Sequence, residues 1–490
     1  MTYPTYFTTW LASNGRRCLL AEVGVKSEGV EITRYLSSVG FVTEPTDTPA
    51  STQYIGRISG GVSFSRSLSL TGEGSLSFGD IEMDNTDREI DDWLNDIWDF
   101  RSIDLYMGDP IWPKSQFVKV FSGVVSGIAP KDRYHLSLGL RDILAPLNAP
   151  ISTAVVGGAG DNKDSLIPIA LGEVFNAEPL LISTDGTQVY QVSLGAIEDV
   201  IEVRDNGYPV SYSKDLSNGK FTLTYARYGK ITCDVQGAKV SGSYRNDIGG
   251  LVEWVGTTLG DGDKLDSGSI DSTALTAFRV SHAQPVGVWI NDRANRLQVM
   301  QKLSASVGAT LTATSNGKLK LTQVAFGTPV RDVTSYNMLA DSFAPSAKPD
   351  VLAAIQLQGC RNWSIQDKAE LAFALTDGNA PLLGDEWAKA TAEDVTVASD
   401  YRQTTSPEPT DTLLIVDSDL QAEAARRLAL WSVPRATYRF TGYAELLTLE
   451  LGDTVTLIFP AFGLESGKPA VVVSLETDFS AAQVVVGVLV

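Results

Sequence analysis

Strict alternation of apolar and polar residues recurs through the first 150 residues, in Val30-Glu-Ile32-Thr, Ser67-Leu-Ser-Leu70, Ser75-Leu-Ser-Phe78 and His135-Leu-Ser-Leu-Gly-Leu140. Such a period of two buries one face of a strand and wets the other, so these segments must pair into sheets that close over a core, as a sandwich or barrel. One interruption reads as helical. Thr86-Asp-Arg-Glu89 has capping-box spacing, and Ile90, Trp93, Leu94, Ile97 and Trp98 follow on one helical face. Strands resume in Ser102-Ile-Asp-Leu-Tyr106 and Phe117-Val-Lys-Val-Phe121.

With 490 residues, and about 150 per domain as a prior, three or four units are expected. The reading is mainly β with α+β insertions, with tube-like β-barrel or sandwich domains at the two ends. Residues 1–150 form the first of these, with its amphipathic helix. Residues 151–165, rich in glycine and polar groups, read as a linker. In 166–240 short strands flank the turns Asp205-Asn-Gly207 and Ser217-Asn-Gly219, giving a small antiparallel domain. In 241–345 two helical faces, Ile248/Leu251/Val252/Val255/Leu259 and Leu297/Met300/Leu303, precede a hairpin about Ser315-Asn-Gly317, an α+β order. In 346–490 a long acidic loop spans Trp387 to Thr412. A helix capped by Ser418 with Gln421 follows, and β-barrel strands from Tyr438 to Val490 end the chain.

Charge and cysteine usage exclude several classes. Lysine and arginine number 39 against 59 acids, a net −20, which disfavours tight nucleic-acid binding because counterion release requires clustered cations. Between Asp80 and Asp109, eleven carboxylates face only Arg88 and Arg101. Cys18, Cys233 and Cys360 are too scattered for a disulfide framework and read as reduced, buried thiols. No Sec-type signal is visible in MTYPTYFTTWLASNGRR, so synthesis in a cytoplasm is expected.

The inventory for covalent chemistry is thin. His135 sits in a strand pattern and His282 precedes a turn, neither with a metal partner at ligand spacing. Gly72-Glu-Gly74-Ser-Leu-Ser-Phe-Gly79 begins like a dinucleotide fingerprint, but Ser77 stands in the place of the third glycine. Asp261-Gly-Asp263-Lys-Leu-Asp266 crowds carboxylates as a calcium loop does, without the glycine and glutamate positions such a loop needs. No catalytic, cofactor-binding or metal-binding residue is therefore assigned, and no cofactor is expected. A carboxylate pair on a β scaffold, as in a polysaccharide hydrolase, stays open as an alternative, since that mechanism requires only a separation in space. So does a carbohydrate-binding module using exposed aromatics such as Trp112 or Trp387.

Four stretches together resemble the baseplate-hub and tail-tip proteins of tailed bacteriophages and gene transfer agents. They are Ile81-Glu-Met-Asp-Asn-Thr-Asp87 with Asp92-Trp-Leu94 and Leu105-Tyr-Met-Gly-Asp109; Ile167-Pro-Ile-Ala-Leu-Gly172 with Tyr190-Gln-Val192 and Val203-Arg-Asp-Asn-Gly-Tyr-Pro-Val210; Leu265-Asp-Ser-Gly-Ser-Ile-Asp271 with Val286-Gly-Val-Trp-Ile290; and Leu451-Gly-Asp-Thr-Val-Thr-Leu457 with Phe462-Gly-Leu-Glu-Ser-Gly-Lys468. The resemblance implies a non-enzymatic virion protein at the distal end of the tail. It implies a homotrimer whose paired barrel domains present six units to a hexameric tail tube. The implied partners are the tail tube or distal tail protein, a tail-tip or central fibre protein and the tape measure protein. DNA would pass without specific binding, along a bore that carboxylates keep non-adhesive. Because the chain ends at Val490, host-envelope contact is expected to fall to other subunits.

Overall fold

The computed structural model describes residues 3–70, 77–367, 369–372, 383–404 and 406–490. It is mainly β, with 40% strand and 18% helix. The alternating segments near the N-terminus form the strands Cys18–Ser27, Val30–Ser37, Ile58–Ser67, Phe78–Asp84, Ser102–Gly108, Val118–Pro130 and His135–Arg141. Their inward residues, among them Val23, Val25, Ile81, Met83, Ile103, Leu105, Leu138 and Leu140, make the core of a first lobe. A second lobe is built from Thr437–Gly442, Thr454–Leu457, Lys468–Asp478 and Gln483–Leu489, packed around Phe440, Val455, Val472 and Val486. Each aliphatic side chain so buried contributes roughly 1.5–3 kcal/mol.

The two lobes share one sheet. Lys468–Asp478 pairs antiparallel with Ile58–Ser67, from Ser474 opposite Ser67 to Asp478 opposite Ser63. The resulting 15-stranded sheet has a main path of 13 strands from Ala344–Ala347 at one edge to Phe41–Val42 at the other and closes into no barrel. Between the lobes in sequence lie two inserted units. A six-stranded sheet including Ile169–Ala177, Ile197–Asp205, Ile231–Val240 and Gly287–Ile290 encloses Val174, Val200, Val203 and Cys233. Beside it, the helices Ile248–Thr257, Ser272–Ser281 and Arg296–Ala305 and the hairpin Ala309–Ala313/Leu319–Gln323 form one core with Ala354–Gly359, Ala388–Glu393 and the helix Asp417–Trp431.

Three expected elements differ. No amphipathic helix follows Thr86: only a 3-10 turn, Asp91–Asn95, is present, and Leu94 and Ile97 are exposed while Trp93 and Trp98 are buried. The cap fails because its parts are engaged elsewhere. Thr86 bonds back to Asp84, Glu89 pairs with Arg57 at 2.7 Å, and Arg88 adopts a left-handed φ of 65°. The acidic stretch from Trp387 is not a loop: Ala388–Glu393 is a strand and Val395–Tyr401 a helix capped by Asp394. Alternating alanines, Ala390 and Ala392, form the buried face there, a weak hydrophobic signal in sequence. Helix Asp417–Trp431 begins at Val416 without a side-chain cap, and Gln421 donates instead to the Thr391 carbonyl. Its expected apolar face, Leu420, Ala424 and Leu428, is buried.

Candidate assembly interface

The junction between the lobes is fixed by more than its ladder. Arg66 and Glu450, one from each lobe and both buried, form an ion pair at 2.6 Å. The Ser315 backbone N–H, at the tip of the inserted hairpin, donates to the same carboxylate at 3.1 Å, and the Ser315 hydroxyl bonds it as well. Tyr3 reaches the Ser315 hydroxyl at 3.2 Å, and Ser122 of the first lobe donates its N–H to the Ser315 carbonyl at 3.0 Å. Burial alone would raise the Glu450 pKa, but Arg66 and Ser315 outweigh it and hold the carboxyl below the ordinary glutamate value. First lobe, second lobe and hairpin are thereby locked at one point, so the two β lobes present their outer surfaces at a set angle.

Those outer surfaces carry free edges and apolar groups. At one end of the sheet Phe41–Val42 leaves Val42 exposed; at the other, all four residues of Ala344–Ala347 are exposed. Along Val30–Ser37, Val30 and Ile32 face outward, and Ile97, bridged to Lys26, is 52% exposed beside them. On the second lobe Tyr336 is 90% exposed. Open strand edges and exposed apolar side chains are groups with which another chain can pair.

The acidic run Asp80–Asp109 is partly neutralised by cations from elsewhere in its lobe. Lys131 pairs with Glu82, Arg57 with Asp87 and Glu89, Arg34 with Asp96, and Lys119 with Asp104. The charge asymmetry visible in sequence is thus partly a feature of chain order, and only part of it reaches a surface as unpaired carboxylate.

The residues weighed for chemistry scatter. His135 bonds Asp132 at 3.0 Å, which raises its pKa, and lies near Glu82 on the first lobe. His282 is far along the chain, stacked on Phe278 at 4.2 Å. Asp261 accepts bonds from the Thr153 N–H and hydroxyl, at 3.2 and 2.9 Å, and so ties a loop to the 151–165 segment. Among the described residues no three His, Cys, Asp or Glu side chains converge as metal ligands. Of the Gly72–Gly79 fingerprint, residues 72–76 lie outside the described residues; a strand, Phe78–Asp84, follows. All three cysteines are free. Burial pushes the Cys18 thiol up to about 11 and raises the Cys233 thiol, whereas Cys360, expected buried, is partly exposed. Trp112 is packed against Trp10, with ring centres 5.0 Å apart. Trp387 lines a cleft.

No protein-family model and no curated protein matches the chain. Its structural neighbours are phage tail proteins and a gene transfer agent virion. A tail protein from Neisseria meningitidis is 11% identical, over 96% of each chain, with a TM-score of 0.41. The gene transfer agent virion protein is 14% identical over 69% of this chain and 87% of its own, with a TM-score of 0.42. The prophage MuSo2 43 kDa tail protein from Shewanella oneidensis is 12% identical over 97% of this chain and 96% of its own, with a TM-score of 0.37.

Proposed function

We propose that this chain is a structural subunit of a phage-type tail, a baseplate or tail-tip hub that assembles as a homotrimer. One observation carries the reading: a single chain holds two β lobes fused edge to edge by the Ser63–Ser67/Ser474–Asp478 ladder and pinned by Arg66–Glu450. Three copies about an axis present six lobes, which is how a threefold ring matches a sixfold tube. The open edges Phe41–Val42 and Ala344–Ala347 are where lobes of neighbouring copies meet. Obligate interfaces of this kind bury about 2,000 Å² or more. The tail tube or distal tail protein docks on one side, the tape measure and the tip or fibre protein on the other, and DNA passes without specific contacts. The role is adaptor and conduit, with no covalent step.

Light scattering on the purified chain tests it. A mass of three times 52.6 kDa is expected. A strict monomer at about 100 μM, a concentration at which even micromolar association is visible, overturns the reading. Release of reducing ends from cell-wall polysaccharide by the purified protein would favour a hydrolase instead.

A further inference from the structure

We infer that the cleft between the six-stranded sheet and the Ala354–Gly359/Ala388–Glu393 pair binds an uncharged oligosaccharide, stacked on the indole of Trp387. This site is independent of the assembly proposed above. The cleft has a volume of about 490 Å³, within the roughly 300–1,000 Å³ of small-molecule sites. A second cavity of about 560 Å³ lies against the same Arg361, Trp363 and Trp387 side chains. The two share that wall.

The wall is built and held. The Arg361 guanidinium lies 4.3 Å from the Trp363 ring centre and 4.8 Å from that of Trp387, and Glu386 anchors it at 2.9 Å. Trp363 packs on two apolar cores, whereas among the described residues Trp387 joins none of them. The half-buried Trp387 indole, fixed in orientation by the guanidinium over its ring, is a preorganised apolar group on the wall common to both cavities, and the C–H face of a pyranose ring is the flat, weakly polar surface that fits one. Around it are the acceptors and amides that hydroxyl groups require. Glu173 bonds Gln236 through one oxygen at 2.8 Å, Asp385 is exposed at the rim, and Asn291 and Gln298 line the second cavity.

Charge selects among ligands. Arg361 is paired with Glu386, and Arg204, behind Asp234, is paired with both Asp234 and Glu202. Asp234 is thus matched, and Glu173 and Asp385 leave the lining acidic. Phosphates, nucleic acids and acidic polysaccharides are disfavoured, and a neutral glycan is not.

The test is calorimetry and tryptophan fluorescence on the full chain with chitotetraose, cellotetraose and maltotetraose. At least one is expected to bind saturably, with Kd of about 0.1–1 mM. Trp387→Ala should weaken it about 10-fold or more, Trp387→Phe less, and Trp112→Phe not at all, with circular dichroism and oligomeric mass unchanged. If Trp387→Ala misfolds, the Trp387→Phe and Asp385→Asn affinities decide: both equal to the parent's would overturn the site. No saturable binding of any of the three sugars at about 20 mM would also overturn it. So would tighter binding of a lysine-rich peptide or polyphosphate at this cleft.

Discussion

Glu450 and His135 show how single side chains here take opposite pH roles. Glu450 is held below its unfolded pKa by Arg66 and Ser315, so its contribution to stability is complete above the ordinary glutamate pKa. That contribution is lost as pH falls through the lowered folded value. Acid should therefore loosen the junction between lobes. Glu450→Gln leaves Arg66 buried without its counter-ion and should cost about 3–5 kcal/mol in urea unfolding, with a shallower loss of stability on acidification. The double replacement Arg66→Met/Glu450→Leu should recover most of it. His135 is the reverse case: its pKa is raised by Asp132, so its contribution is present below the unfolded histidine pKa and disappears as pH rises through the folded one. In an NMR titration His135 should titrate above the ordinary histidine value, and Asp132→Asn should bring it back down.

Elements in this protein are decided by what their ends can bond. Helix Ile248–Thr257 is closed at its C-terminal end by Arg296, fully buried, which donates to the carbonyls of Val255 and, at 2.7 Å, Leu259. Arg296→Met should lose about 1.5–3 kcal/mol, read as a lower Tm, because those carbonyls stay buried without donors. The hairpin tip depends on Gly317, whose φ is +71° and where a Cβ would sit 2.7 Å from the Ser122 Cβ. Gly317→Ala should destabilise by about 1–3 kcal/mol through backbone strain and by pushing the tip off the first lobe. Both helical faces of the inserted unit and all three Asn-Gly turns were legible in sequence, because periodicity and turn chemistry are local. The helix expected after Thr86 does not form, since a distant Arg57 captures the glutamate that its cap needed. The N-terminal helix Thr5–Leu11 carried no capping signal; what holds it is tertiary, with Phe7, Trp10 and Leu11 buried and Trp10 bonded to Asp109 at 3.3 Å.

For the whole molecule the shared sheet is the governing feature. Strands from positions 58–67 and 468–478 form one ladder, so neither lobe can open without exposing the other's edge. Native-state hydrogen exchange should give the amides of Phe64 and Leu475 the same opening free energy, equal to that of global unfolding, while the 151–165 segment exchanges far sooner. Unequal values would separate the lobes into independent units. Sequence alone determined that the chain is mainly β, that helices and hairpins are inserted between its β ends, and which faces are apolar. Those properties follow from side-chain period and turn residues within a few positions of one another. The tertiary structure decided that the β ends fuse into a single open sheet, that the acidic run is matched in part by remote cations, and that Trp387 stands at a cleft while Trp112 packs against Trp10. Each of these joins residues tens to hundreds of positions apart, and local pattern carries no information about such pairings because every strand edge offers the same backbone groups to any partner.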